Sequence, residues 1–443
     1  MELMSEWPFC IDTVLKTDRM NKILIKGGTV IDPESEKAQR RDLLLMNGKY
    51  IDPTKIDSTT EIIEAEGHYI IPGLFDLRCH LNQSGVSFQG GVDLISNKAS
   101  AGGFTSILAM PKLSSMADNP ETLQYTKESI INESHVNIHL TGCLTLGAEG
   151  NRLAPIGSLK ETGIIAVTDC PNCTQNSQIF SKAAEYASMF NLPIIELPRD
   201  YSLSPDASAH ESLLSLKMGL KGFPRIAEEL FVARSILISK YSETKIHLSS
   251  ITSKGSIGLI GKAKEEGVQI TCDTTANHLY CIEKQIENFD PLSKPLPPFR
   301  ESEDQAALMD AVRNGIIDAV STGHQSFSFD DKSKEFDIAP SGTLGLENAF
   351  LQIFSKLETN TIEERLTLIS RIMSKKPAQI LNLEPESFEN NKLANFFIFN
   401  PKGETIIERK IDVRGSVNLP YDKQQFKGEI LKTVARGKLI YEK

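Results

Sequence analysis

Side chains able to move protons or bind metals stand where short apolar runs of the sequence end. They follow five such runs and are His80, Asp169, Glu196, His278 and His324. Imidazoles and carboxylates serve as general acids, general bases or metal ligands. Their positions along the chain do not by themselves converge on one mechanism.

The cysteines do not supply a mechanism either. There are seven, an odd and scattered set in a long chain, which is not the pattern of a disulfide framework. Cys170 and Cys173 form one C-x-x-C pair, but no second Cys or His pair lies at zinc-site spacing and no thioredoxin-like context surrounds it. We expect ordinary reduced thiols.

The composition excludes some classes of partner. The 443 residues contain 48 Lys and Arg against 58 Asp and Glu, a net charge of −10, which argues against a nucleic-acid backbone or an anionic membrane as the main partner. No stretch approaches the roughly 20 consecutive apolar residues needed to span a bilayer. Residues 1–20 carry four acidic side chains and lack a secretory hydrophobic region, so we expect a cytoplasmic protein with a disordered leader, starting at Met1 or Met20.

The elements that must position these residues alternate between strand and helix. Eight β-leaning apolar runs are separated by helical patterns over about 270 residues, the count and length of a (β/α)₈ barrel. The runs begin at Gly73, Gly102, Val136, Gly163, Leu192, Lys245, Gln269 and Ile317. A doubly wound open sheet is the competing fold, but no Gly-rich phosphate loop follows the first strand. The sequence therefore predicts an α/β protein of TIM-barrel type.

Both ends of the chain have a different pattern. Short apolar runs near the start flank Asn47-Gly48, a strong hairpin signal, and similar runs return after residue 390. We expect a small β-sandwich domain formed by 21–72 with 390–443, around a barrel at 73–389. Segments 201–210 and 325–341 are expected to be loops over the barrel mouth, where barrel enzymes keep their substrate loops.

The order of motifs resembles a known family. GLFDLRCHLNQSG, from Gly73, resembles the first-strand motif GLVDxHVHLREPG of dihydroorotases in the amidohydrolase superfamily, and AGGFTSILAMPKLSSMADNP is similar to AGGFTTVxAMPNTxPxxDxP. Matches continue through IHLSSITSKGSIGLI, KPLPPFR and IDAVSTGH, so the resemblance to first-class dihydroorotases runs from about Asn21 to the C-terminus. It implies a barrel with a small β domain. It also implies hydrolysis and closure of a cyclic amide, between dihydroorotate and carbamoyl-aspartate, with metal ions that polarise the carbonyl and generate hydroxide.

Carried over residue by residue, most of the family's metal ligands are missing. Two of six positions are kept, His80 and Asp169. The other four, three histidines and the aspartate that also shuttles the proton, have become Arg78, Leu197, Ser250 and Gly323. A fixed charge about 4 Å from a divalent ion costs roughly 8 kcal/mol at an effective dielectric of ~20. We therefore expect no intact catalytic set, remnants insufficient for a metal, and no cofactor, with zinc only if the site is rebuilt.

The substrate positions implied by the resemblance have changed as well. The arginine that would grip the substrate carboxylate is Asn82, and two asparagines have become Lys112 and Leu296. His324 is kept, and His278 lies in the matching TTANHL segment. Asn cannot replace the bidentate carboxylate recognition typical of Arg.

Three hypotheses remain open at this point. The first is a catalytically silent dihydroorotase homologue, a homo-oligomer that serves as a structural partner of the aspartate transcarbamoylase catalytic chain. The second is an active dihydroorotase with a metal site rearranged around His278, His324, Cys79 and Cys170. The third is a repurposed barrel in which Arg78 and Lys112 bind another anion.

Overall fold

The computed structural model describes residues 22–443 except 33, 59, 82–87, 114 and 410–417, and of 88–90 it describes only the backbone. The expected leader and Asn82 lie outside the described residues.

The described chain contains twenty strands and thirteen α-helices. The strands are β1 Lys22–Lys26, β2 Thr29–Asp32, β3 Lys37–Arg40, β4 Leu43–Met46, β5 Lys49–Ile51, β6 Glu61–Glu64, β7 Tyr69–Pro72, β8 Leu74–Cys79, β9 Phe104–Ala109, β10 Asn137–Gly142, β11 Ala166–Val167, β12 Ile194–Glu196, β13 Ala209–His210, β14 Gly222–Phe223, β15 Ile246–Leu248, β16 Ile270–Thr275, β17 Ala319–Ser321, β18 Phe396–Ile407, β19 Gln424–Ala435 and β20 Lys438–Glu442. The helices are α1 Phe88–Ala101, α2 Pro120–Glu133, α3 Ile156–Glu161, α4 Ser177–Ser188, α5 Leu213–Met218, α6 Arg225–Ser242, α7 Lys254–Glu265, α8 Ala276–Tyr280, α9 Ser302–Arg313, α10 Phe329–Lys332, α11 Ala349–Lys356, α12 Ile362–Ser370 and α13 Lys376–Ile380. Short 3₁₀ segments lie at Pro53–Lys55, Leu146–Ala148, Glu283–Ile286 and Pro291–Ser293, and a π-helical turn at Arg371–Lys375.

Eight parallel strands form the barrel, in the order β8-β9-β10-β11-β12-β15-β16-β17. The first and last strands meet where the backbone N–H of His80 donates to the carbonyl of His324 at 2.9 Å. This confirms the (β/α)₈ fold. Because all eight strands run in one direction, the residues that follow their C-terminal ends gather on one face of the barrel.

The two chain ends together build the smaller β part. A six-stranded sheet, β20-β19-β18-β7-β2-β3, combines strands from both ends, and a four-stranded sheet has the order β5-β4-β1-β6. The predicted hairpin at Asn47-Gly48 is confirmed: β4 pairs with β5, and both turn residues have positive φ (50° and 76°), as a type I′ turn requires. The exact domain boundaries stay a prediction.

Aromatic packing joins this β part to the barrel layer. The ring of Phe350 on α11 lies edge-on to Phe397 and Phe399 of β18, with centroids 4.9 and 4.8 Å apart. Such pairs contribute about 0.5–1.5 kcal/mol each beyond their buried area.

Two local details differ from the sequence interpretation. Asn277 and His278 were expected at a strand end but lie on the short helix α8, because the Thr275 side chain caps it by accepting from the backbone N–H of His278. The segment 201–210 ends in β13, which pairs with β14. Across the described residues, no helix is both long enough and apolar enough to cross a bilayer.

Candidate functional site

Arg78, the penultimate residue of β8, extends across the C-terminal mouth of the barrel. Its side chain is 1% exposed, and Nη1 donates to Ser250 Oγ at 2.6 Å and to the carbonyl of Leu296 at 3.1 Å. Its Nε is buried, and none of the described residues accepts a hydrogen bond from it. Among the described residues no carboxylate forms a salt bridge with this guanidinium. A cation therefore spans two of the positions where the resemblance places metal ligands.

Below Ser250 lies a buried acidic group that the sequence interpretation missed. Asp273 on β16 accepts from the backbone N–H of Ser250 (2.8 Å) and from the Ser321 hydroxyl (2.9 Å) with one oxygen. Its other oxygen lies 2.8 Å from Nε2 of His247. The carboxylate thus links β16 to β15 on one side and to the end of β17 on the other.

A second buried acid, Asp76, was also missed. One of its oxygens accepts from the backbone N–H of Thr322 at 2.7 Å and the other from the Thr322 hydroxyl at 2.6 Å, which ties β8 to the end of β17. Burial raises the pKa of Asp76 to about 7. The signal available in the sequence was a carboxylate inside a short strand of mostly apolar residues, a costly placement unless the group is hydrogen-bonded.

Asp169, the predicted acidic remnant, is fully engaged by the segment that follows β10 and by Thr174 of its own loop. One oxygen accepts from the backbone N–H groups of Leu144 (3.0 Å) and Thr145 (2.9 Å), and the other from the hydroxyls of Thr145 (2.6 Å) and Thr174 (2.8 Å). An ionised carboxylate offers about four lone-pair sites. All are in use, so a metal would have to displace structural bonds. Burial raises the pKa of Asp169.

The positions of two other replaced ligands offer no donor atom from a side chain. Leu197 is buried in an apolar cluster inside the barrel, which also contains Cys170 and Met110. Gly323 has a left-handed φ of 60°, and a Cβ there would lie 3.0 Å from Thr275 Cγ2.

His80, the other predicted remnant, faces a cavity. It is 3% exposed, and its Nε2 is buried with no hydrogen-bond partner among the described residues. Burial, with the nearby charges of Arg78 and Lys112, lowers the pKa of His80 to about 3, so it is a neutral imidazole. His80 and Lys112 line a cavity of about 370 Å³ together with Gln325, Phe327, Lys334 and others from the 325–341 segment.

Two buried lysines hold that segment in place. Nζ of Lys294 donates to the carbonyls of Phe336, Asp337 and Ala339 at 2.6–3.2 Å. Nζ of Lys332 donates to those of Pro291, Pro340 and Gly342 at 2.7–3.0 Å. Burial lowers the pKa of Lys294 to about 8 and that of Lys332 to about 7.

The residues considered for a rearranged site are not brought together as one ligand set. Both ring nitrogens of His278 are occupied, by Thr275 Oγ1 at 2.7 Å and by the Pro297 carbonyl at 3.0 Å. Nδ1 of His324 accepts from the backbone N–H groups of Gly345 (3.2 Å) and Leu346 (3.3 Å). Burial raises the pKa of Cys79 and of Cys170, so both thiols stay protonated.

Within the described chain, one group of three side chains has the spacing of a metal site. Ligand atoms of His210, Glu301 and Asp304 lie within 4.8 Å of one another. Arg225 already occupies the two carboxylates, with Nη2 at 2.6 Å from both Glu301 Oε2 and Asp304 Oδ2. The positive charge of Arg225 between the two carboxylates would repel a metal ion. This group is a structural ion-pair cluster.

The residues at the barrel mouth therefore do not fit zinc. A catalytic zinc usually keeps three protein ligands and an open position. Here Asp169 is saturated, Leu197 and Gly323 provide no donor, and the Arg78 guanidinium is bonded to Ser250. What the arrangement can do is present the ammonium group of Lys112 and the neutral imidazole of His80 to a small cavity, which Asp331 and Lys334 also line.

The chain is similar to known proteins over nearly its whole length. The family model described as dihydro-orotase-like matches residues 67–256. Dihydroorotases of Pelobacter propionicus and Caldanaerobacter subterraneus are 31% and 33% identical over 427 and 425 residues, covering 95% of this chain and 100% and 98% of theirs. Among solved structures, the L-hydantoinase (dihydropyrimidinase) of Arthrobacter aurescens aligns with a TM-score of 0.81 at 19% identity, covering 96% of this chain and 97% of its own, which is a likeness of fold.

Proposed function

This chain belongs to the dihydroorotase family, and on that premise we propose that it is a non-catalytic member that serves as a structural partner of the aspartate transcarbamoylase catalytic chain. The observation that carries the non-catalytic part is the 2.6 Å hydrogen bond between Arg78 Nη1 and Ser250 Oγ. It joins two substituted ligand positions through a fixed positive charge, in the space that the reacting centre of a metal-dependent relative needs.

The retained fold supports a structural role. Gly102 has no room for a side chain, because a Cβ there would lie 1.9 Å from the carbonyl oxygen of Leu346. Gly103 has a φ of +79°, a conformation that favours glycine. A chain free of folding constraint would lose such residues as readily as its ligands. The folded surface is therefore what this protein contributes, and the transcarbamoylase chain is the partner we propose for it.

Co-expression with the transcarbamoylase catalytic chain tests the partnership. We expect the two chains to co-elute in size-exclusion chromatography at micromolar concentration. In the absence of this protein, we expect the transcarbamoylase to be less active or less stable. The same experiment with the Arg78→Met variant is the matched control. Arg78 is buried and cannot contact a partner, so this variant should bind the transcarbamoylase chain equally well. Separate elution, with full transcarbamoylase activity alone, would refute the partnership and leave the non-catalytic assignment to the metal experiment below.

One observation favours a second candidate, a barrel that binds a small anion. His80 Nε2 has no partner among the described residues and faces the same cavity as Lys112, with which no described carboxylate pairs. Isothermal titration with phosphate and with succinate tests it. Lys112→Met should abolish binding, whereas Lys160→Met, on the outer helix α3, should leave it unchanged. An absence of heat with both anions would dismiss this candidate.

A further inference from the structure

A second cavity lies at the end of the barrel opposite the mouth, where the parallel strands begin. It has a volume of about 270 Å³ and is lined by residues at the starts of β12, β15, β16 and β17 and by α13. The wall is mostly apolar, and Pro193, Ile246, Ile270 and Ile380 are among the residues that form it. Barrel enzymes carry out their chemistry at the other end, so this cavity is separate from the candidate site at the mouth.

The charged groups at this cavity leave a positive balance. Lys245 and Lys376 both line it, and neither forms a salt bridge with a carboxylate of the described residues. Nζ of Lys245 donates to a neutral acceptor, Asn382 Oδ1, at 2.6 Å. The carboxylate on the described lining belongs to Asp318, and it is already paired with Nζ of Lys264 at 2.5 Å. An anion that enters the cavity would therefore meet two ammonium groups that no described carboxylate neutralises.

The inner wall of the cavity is held in place by hydrogen bonds of its own. His247, which is 1% exposed, has Nδ1 at 2.9 Å from Thr271 Oγ1 and Nε2 at 2.8 Å from Asp273 Oδ2. Both ring nitrogens are therefore in use, and His247 offers a ligand neither a donor nor an acceptor. Since the wall is already fixed, a ligand would not have to order it, which is a cost that many flexible sites carry.

We propose that this cavity binds a short-chain aliphatic carboxylate, with its hydrocarbon chain against the apolar wall and its carboxylate on Lys376 and Lys245. Lys376 is the main anchor, because Lys245 already donates to Asn382. The volume is close to the ~300 Å³ at the lower end of small-molecule sites, which suits a ligand of this size. A dicarboxylate would bring a second charge against the apolar wall, which is costly without a partner. An amine would meet two like charges.

Isothermal titration of the full chain with hexanoate tests the proposal. We expect saturable binding with a Kd in the millimolar range or below, as so small a ligand allows. Hexylamine is the matched control ligand, because it has the same hydrocarbon chain and the opposite charge, and it should give no saturable heat. An absence of saturable hexanoate binding, or equal binding of hexylamine, would overturn the proposal.

Two variants locate the bound hexanoate. Lys376→Met should weaken binding by about tenfold or more, because a hydrogen bond between two charged groups is lost. Gln379→Trp should abolish binding, since Gln379 is an exposed residue of the cavity lining and an indole there would fill the space. Gln178→Trp, at an exposed position on α4, is the matched control and should bind hexanoate like the unmodified protein. Thermal unfolding checks that all three variants fold.

A further variant, Lys112→Met, distinguishes this cavity from the one at the barrel mouth. It should bind hexanoate with unchanged affinity, because Lys112 lines the cavity at the mouth. Loss of binding in Lys112→Met, or full binding by Lys376→Met or Gln379→Trp, would overturn the proposal. Hexanoate binding and transcarbamoylase binding are measured separately, so either proposal can fail while the other stands.

Discussion

If the charge of Arg78 blocks metal binding, then restoring family ligands at the other three substituted positions should not be enough to bind zinc. We consider a triple variant, Leu197→His, Ser250→His and Gly323→Asp, which restores three family ligand types beside His80 and Asp169. It is compared with the same triple variant carrying Arg78→Met. Methionine has a similar length but no charge and no competing donor, so the comparison isolates the guanidinium.

The expected difference follows from the geometry. A ligand atom in the place of Ser250 Oγ lies 2.6 Å from Arg78 Nη1. With a zinc–nitrogen bond of about 2.1 Å, the ion would be at most about 4.7 Å from that nitrogen. At an effective dielectric of ~20, a divalent and a unit charge at this distance repel by about 7 kcal/mol. This corresponds to roughly five orders of magnitude in affinity.

Competition with a chromophoric zinc chelator measures both affinities, and thermal unfolding checks that both variants fold. We expect tight binding by the Arg78→Met form, weak or undetectable binding by the form that keeps Arg78, and less than stoichiometric zinc in the unmodified protein. Equal affinities within tenfold would refute the charge argument. Two tightly held metals in the unmodified protein would refute the non-catalytic proposal itself.

Three further predictions concern turnover, pH and the loop. The unmodified protein should not cyclise carbamoyl-aspartate above background with added zinc, cobalt or manganese. The absence of a proton-transferring side chain at Gly323 alone should lower the rate by about 10²–10⁴-fold. Robust turnover in a spectrophotometric assay would contradict this. Asp76, with its pKa raised to about 7, binds a proton more tightly when folded, so its contribution to stability is present below pH ~4 and lost as the pH rises to 7. Asp76→Asn should therefore flatten the pH dependence of the free energy of unfolding, measured by urea denaturation, by an amount of order 4 kcal/mol between these limits; an unchanged slope would count against this. Lys332→Met should make the segment 325–341 sensitive to limited proteolysis, because three carbonyls lose their hydrogen-bond donor. Lys334 is half-exposed, so Lys334→Met should not have this effect. Equal cleavage of the two variants would contradict the anchoring role of Lys332.

The barrel was predictable from the sequence because its signals are local. Short apolar runs specify the barrel strands within a few residues, and the structure has these strands where expected. In the smaller β part, the turn dipeptide Asn47-Gly48 likewise specifies a hairpin. The helix at His278 was missed because one capping hydroxyl, from Thr275, decided between two short conformations. This signal is local in the sequence and consists of a single hydrogen bond.

The interior of the site was less predictable because its contacts are distant in sequence. Asp76 bonds to Thr322, 246 residues away, and Arg78 to Ser250, 172 residues away. The resemblance identified Arg78 as a substitution. Nothing in the sequence indicates which atoms its guanidinium reaches, or that no carboxylate of the described residues forms a salt bridge with it. That Asp169 is saturated by hydroxyls was equally invisible, since the threonines that bind it are ordinary loop residues.

If the chain is non-catalytic, as proposed, the bond between Arg78 and Ser250 also bears on the order in which mutations could build a metal site. While the guanidinium is present, a histidine gained at 197 or 250 adds a buried imidazole without a metal to bind, so it costs stability and confers no activity. A histidine at 197 or 250 could contribute to metal binding only after Arg78 has been replaced. On the proposed role, Arg78 thus removes any advantage of a metal-ligating side chain at the other substituted positions.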